Sequence, residues 1–158
     1  MSRNEEIAIL RVDEYSDEAA AGIGQLMPFL SADHPGGPVA EVLLREIINS
    51  PDREQLIATL HGEIVGSAVL NQVVTNSRRI TDLDNFVVNK RLWGQRVGYR
   101  LWLDMLRWSR EQGSERIRFT SRPSREAAQR FYLRQGAIAR DTAAFEFKIP
   151  RLKPWQIP

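Results

Sequence analysis

Residues 84–101 read DNFVVNKRLWGQRVGYRL, and this stretch decides the fold. Phe86, Val87 and Val88 end a strand-like run at Asn89-Lys90, a polar turn with Gly94 follows, and helical spacing sets in near Val97. Strand, loop and helix N-terminus in that order gather backbone N–H groups that have no intrahelical partner. They also bring the positive end of a helix dipole to the same spot, which suits a phosphate. Gly94 and Gly98 are the places where the backbone can approach a ligand with no Cβ in the way.

Downstream of this stretch, Val97, Leu101, Trp102, Met105, Leu106 and Trp108 form one apolar face of a helix that Gly113 closes. Residues 116–120 (RIRFT) predict a strand. Connected to the strand ending at Val88 through a helix, it is expected to run parallel to that strand by a right-handed crossover. A helix over residues 125–135 ends at Gly136. Residues 137–149, with Phe145 and Phe147 alternating and Asp141-Thr142 at a turn, predict a final hairpin.

Upstream, residues 80–88 complete the strand, and Thr75-Asn76-Ser77 turns the chain. Residues 55–60 and 65–73 flank His61-Gly62-Glu63 as a hairpin, so the early strands form an antiparallel meander. Before them, a helix over residues 39–49 presents Val42, Leu43, Ile47 and Ile48 at helical spacing. A loop dense in proline and glycine, residues 31–38, separates it from a helix that Ser16 caps and that extends to about Leu30. Residues 7–12 supply the first strand. The fold class is α+β, mixed α/β, with a central, mostly antiparallel sheet of about six to seven strands flanked by about four helices.

A chain of 158 residues makes one domain, assigned to residues 1–150, with a proline-bearing tail over 151–158. It contains neither a run of about 18 apolar residues nor a secretory leader pattern, so no membrane association and a cytoplasmic location are expected. With no cysteine, thiolate metal sites and a cysteine acyl-enzyme are excluded. His34 and His61 lie far apart, which argues against a zinc site or a histidine triad, and no metal is expected. The net charge of +2 conceals an asymmetry. Residues 1–79 hold 6 Lys/Arg against 12 Asp/Glu, and residues 80–158 hold 16 against 8. A basic half suits a polyanion, and an acidic half attracts a cation.

The loop Trp93-Gly94-Gln95-Arg96-Val97-Gly98, followed by Ala128-Gln129-Arg130-Phe131-Tyr132 and Gly136, resembles the two core motifs of the GNAT superfamily of acetyl-CoA-dependent N-acyltransferases. The resemblance covers roughly residues 54–149, and the wording around Ser121–Ala128 is similar to that of a bacterial branch. It implies that acetyl-CoA is the co-substrate. The backbone of Phe86, Val87 and Val88 would bond the pantetheine amides, and the amides of Gly94, Gln95, Arg96, Val97, Gly98 and Tyr99 would cradle the pyrophosphate. It further implies that Tyr132 protonates the leaving thiolate and that Asp84 serves as the base or steers the amine, with Asp82 and Asn85 beside it. Two positions depart from the family pattern: Trp93 stands where Arg or Gln is usual, and Arg96 where glycine is usual. In place of an asparagine seven residues before the tyrosine stands Arg125, which would contact the coenzyme.

The reaction implied is acetyl transfer to a primary amine of a cationic small molecule or peptide by direct attack, with no specific nucleic acid involved. A homodimer is compatible with the sequence. A catalytically silent acyl-CoA-binding sensor or interaction module is the alternative.

Overall fold

Apolar and β-branched residues in short runs separated by tight turns build a sheet, and the sheet is the frame of the molecule. The computed structural model describes residues 6–151. The chain divides into two compact units, one ending at Phe119 and one beginning at Thr120.

In the first unit, β1 (Ile7–Arg11), β2 (Arg53–Leu60), β3 (Glu63–Val74), β4 (Arg79–Val88) and β5 (Ile117–Arg118) lie side by side in that order. The first four are antiparallel neighbours, as the meander predicts. The turn between β2 and β3 is made by His61 and Gly62, both at positive φ (50° and 82°), which matches the twist of a two-residue hairpin. β5 is parallel to β4, with Thr81 opposite Ile117 and Asp82 opposite Arg118. The crossover between them is α3 (Val97–Glu111).

Two helices precede the hairpin: α1 (Asp17–Gly24) and α2 (Glu41–Ile48). Ser16 caps α1, its Oγ accepting from the Ala19 N–H at 3.0 Å. The helix stops short of Leu30. Pro28 has no N–H to continue the ladder, and the chain tightens into a 3₁₀ turn over Met27–Phe29.

Alternation along the strands assigns the faces of the sheet. Ile57, Ser67 and Val87 are cross-strand partners, and Ile57 and Val87 pack with Ala20, Ile23, Leu26 and Leu44 beneath α1 and α2. One residue along, Ala58, Gly66 and Val88 are partners on the opposite face. There a Cβ on Gly66 would stand 2.9 Å from the Leu101 side chain of α3. Helices therefore cover both faces. A side-chain bond also fixes the C-terminal end of α3, the Gln72 amide of β3 donating to the Gln112 carbonyl at 2.6 Å.

In the second unit, α4 (Glu126–Arg134) ends in a closed cap. Gly136 takes φ 91°, the Ala137 N–H donates to the Tyr132 carbonyl, and the Gly136 N–H donates to that of Leu133.

The expected final hairpin over residues 137–149 is not formed, so the sheet has five strands among the described residues instead of six to seven. Asp141-Thr142 lacks the glycine or asparagine that a tight two-residue turn demands. Without a paired ladder, the alternating Phe145, Phe147 and Ile149 are 93%, 84% and 89% exposed. The expected tail lies, from Leu152 onward, outside the described residues. β5 is also shorter than the run of 116–120, because pairing with β4 stops at Asp82.

Candidate functional site

β4 continues to Val88, while its ladder with β5 reaches only Asp82. Along residues 83–88 the β4 edge on the β5 side thus has no strand beside it within the first unit. Which backbone groups face that edge is fixed by a bulge. Ser67 pairs with Val87 and Val69 with Asp84, so Ala68 stands opposite two residues, Asn85 and Phe86, with Asn85 at φ 49°.

Before the bulge, the Thr81 N–H points to β5, donating to the Arg116 carbonyl at 2.9 Å. After it, the Asn89 N–H points to β3, donating to Val65 at 2.8 Å. In a trans peptide the carbonyl and the following N–H point opposite ways, so the Val88 carbonyl faces the open edge. Strand alternation places the Phe86 backbone on the same side.

The connection to α3 follows at once. Asn89 Oδ1 accepts from the Arg91 N–H at 3.1 Å and starts a 3₁₀ turn over Lys90–Leu92. Arg91 is held to Glu63 at 2.6 Å across the surface. Gly94 takes φ 80°, and a Cβ there would meet nothing within 4 Å, so the space over the loop is open.

Arg96 resolves the question its sequence position raises. It caps α3 in the left-handed conformation, φ 67° and ψ 9°, and so keeps the backbone that glycine adopts easily. Its guanidinium lies over the Tyr99 ring, 5.0 Å from the centroid. The first helical hydrogen bond runs from the Arg100 N–H to the Arg96 carbonyl, so the amides of Val97, Gly98 and Tyr99 head the helix without a partner four residues back. The Val97 side chain is buried and anchors the turn.

Asp84 sits one residue before the bulge. Asn71 Nδ2 approaches its carboxylate at 3.4 Å, and its pKa is raised, by burial first and by the neighbouring Asp82 second. Asp82 is itself held by Arg118 at 3.3 Å, across the β4–β5 pair. In the second unit, Tyr132 is 6% exposed on α4 and stacks edge-on against Phe131, ring centroids 5.8 Å apart. Burial pushes its pKa above the ordinary tyrosine range, and Arg125 at the helix N-cap opposes the shift.

Among the described residues, positions 86–88 and 94–99 are thus brought together at one strand–loop–helix junction, with Asp84 on the same strand. Tyr132 and Arg125 stand together in the second unit. Sequence reading missed one contact at the junction: the Trp93 indole N–H donates to the Val88 carbonyl at 3.0 Å.

A family profile described as the acetyltransferase (GNAT) family matches residues 23–137, which include the whole junction. The chain belongs to the GNAT acetyltransferase family.

Solved GNAT-like structures agree on the fold. An aminoglycoside acetyltransferase, meta-AAC0020 from an uncultured soil metagenomic sample, in complex with trehalose, superposes with a TM-score of 0.80 at 15% identity, covering 94% of this chain and 99% of that one. The aminoglycoside N-acetyltransferase AAC(6')-Iy, in complex with the bisubstrate analog CoA-S-monomethyl-acetylneamine, gives 0.74 at 18%, covering 92% and 99%. A transcriptional regulator from Bacillus halodurans C-125 gives 0.72 at 19%, covering 91% and 100%. At such identities the likeness shows the GNAT fold. Among curated proteins no match is found.

Proposed function

We propose that this GNAT chain transfers the acetyl group of acetyl-CoA to a primary amine by direct attack. The observation that carries the reading is the end of β4, where the Val88 carbonyl faces an edge with no neighbouring strand among the described residues, one loop before the N-terminus of α3. The pantetheine arm would lie along Phe86, Val87 and Val88 as an added strand does, meeting the peptide groups of Phe86 and Val88 on the edge side. Its pyrophosphate would meet the amides of residues 94–99 and the helix dipole. Arg125 would add a charge-assisted contact to the coenzyme.

An alkylammonium of pKa about 10 must lose a proton before its nitrogen can attack. Asp84, with its raised carboxylate pKa, would steer the cation and take that proton through water. The nitrogen then bonds to the acetyl carbon, the carbon–sulfur bond breaks, and the Tyr132 phenol gives its proton to the departing thiolate. Burial keeps that phenol protonated at neutral pH, as a general acid requires. Of the two N–H groups that the resemblance offers for the thioester oxygen, alternation turns that of Val87 towards β3 and leaves that of Phe86 on the edge side. The acidic N-terminal half favours a cationic acceptor, a small molecule or a peptide. Aminoglycosides are one such class, and meta-AAC0020 is also solved in complex with sisomicin.

Isothermal titration with acetyl-CoA, free CoA and NADH tests the coenzyme site, and thiol release across a panel of amines tests the chemistry. Micromolar acetyl-CoA binding without NADH binding is expected, and Tyr132→Phe or Asp84→Ala should slow turnover by at least about 10²-fold. Wild-type turnover in both variants would refute the assigned roles. The Trp93–Val88 bond favours a second reading, a silent acyl-CoA-binding module, which would bind acetyl-CoA but release no thiol with any amine.

A further inference from the structure

We infer that Trp93 is an internal competitor for the coenzyme arm: its indole N–H occupies the Val88 carbonyl in the free protein and must release it when the pantetheine arrives. The inference rests on the reading that acetyl-CoA lies along the open edge of β4, and it adds a control on that site.

Three observations combine. The Asn89 N–H is committed to Val65, which turns the Val88 carbonyl away from β3 and towards the open edge. The donor that reaches this carbonyl is a side chain, Trp93 Nε1, at 3.0 Å from a residue five positions later. That side chain is not packed into the core: Trp93 is 50% exposed, and its ring lies 5.7 Å from the Lys90 ammonium.

An indole N–H and a pantetheine amide N–H are donors of the same kind. The carbonyl has two lone pairs, but the indole that bonds it is a bulky ring on the side from which the arm arrives, so the two donors compete for that side. The family pattern places Arg or Gln at this position, and Trp93 differs from both in having a single donor on a rigid ring. Acetyl-CoA therefore displaces an internal bond here, and the half-exposed ring moves aside. The arm of the coenzyme meets this competitor, whereas the nucleotide end, bound at the α3 N-terminus, does not.

The test compares wild type with Trp93→Phe, which keeps an aromatic ring for Lys90 and removes the N–H donor together with part of the indole's bulk. Titration uses acetyl-CoA and, separately, adenosine 3',5'-bisphosphate, which lacks the arm. Trp93→Phe is expected to bind acetyl-CoA about three- to tenfold more tightly, the net worth of one hydrogen bond, and the bisphosphate equally well. Unchanged or weaker acetyl-CoA binding by the variant overturns the competitor role while leaving the coenzyme site intact. Equal tightening for both ligands overturns it too, because a general change in the loop would then be responsible. If neither protein binds acetyl-CoA at millimolar concentration, the coenzyme reading itself fails and the inference falls with it. Circular dichroism on both proteins confirms that the half-exposed substitution leaves the fold unchanged.

Discussion

At the scale of single residues, the chemistry proposed here depends on a carboxylate whose surroundings disfavour its charge. Burial and the nearby Asp82 both hold the Asp84 proton on, so its titration lies above the ordinary aspartate range of about 3.9. If Asp84 receives the amine's proton or steers the ammonium, kcat/KM falls on the acid side as this carboxylate becomes protonated, with a midpoint above that range. Asp84→Asn should lower the plateau and abolish this limb. A pH profile of kcat/KM for both proteins checks it, and an unchanged acid limb in the variant would assign the titration to another group. Arg96 shows how a residue can break a sequence pattern and preserve its geometry. The left-handed conformation costs a non-glycine residue about 1 kcal/mol, and the cation–π contact with Tyr99 offsets part of this while drawing the side chain towards the ring.

At the scale of elements, the close approach of α3 to the sheet depends on the absence of a side chain at Gly66. A methyl group there would lie 2.9 Å from Leu101 Cδ1 and 3.2 Å from Ala58 Cβ, tighter than packed atoms tolerate. Gly66→Ala should therefore cost about 1–3 kcal/mol, measured as a lower urea midpoint. Loss of less than a few tenths would mean that Leu101 rotates away freely.

The main elements were legible because their signals are local and mutually consistent. The apolar face from Val97 to Trp108, the Ser16 cap and the His61-Gly62 turn each act within a single element or turn. The strand–loop–helix junction was legible for the same reason. The bulge at Asn85 was not, since it is a matter of pairing between β3 and β4, and an asparagine, which tolerates positive φ, is its one local hint. Likewise Trp93 reads as an exposed aromatic until its indole is seen to reach Val88. The alternating pattern of Phe145 and Phe147 predicted a strand, but alternation alone supplies no partner.

For the whole molecule, pH dependence of stability follows from groups whose burial is incompletely compensated. Glu54 is paired with Arg11 at 2.7 Å, yet burial outweighs the ion pair and its pKa is raised. The folded chain therefore binds this proton more tightly than the unfolded chain. The corresponding stability is fully present below the ordinary glutamate value of about 4.3 and is lost as pH rises through the folded-state value. Glu54→Gln removes the charged form, so at pH 7 it should melt at the same temperature as wild type or higher, and any advantage should disappear near pH 4. Thermal melts at the two pH values decide the matter. A variant less stable at pH 7 would show that the Arg11 pair outweighs the burial cost.

The bulge in β4 also has an evolutionary consequence. Recognition by main-chain groups is insensitive to which apolar side chains stand at positions 86–88, so many codon substitutions there are neutral for the edge. Loss of a single codon at position 85 would be absorbed in the same way. It would make the pairing with β3 uniform and straighten the strand, while Val87 stays opposite Ser67 and Val88 opposite Gly66, so the peptide groups of Phe86 and Val88 would still face the edge. The edge is thus tolerant of drift in spelling and, at this one position, in length.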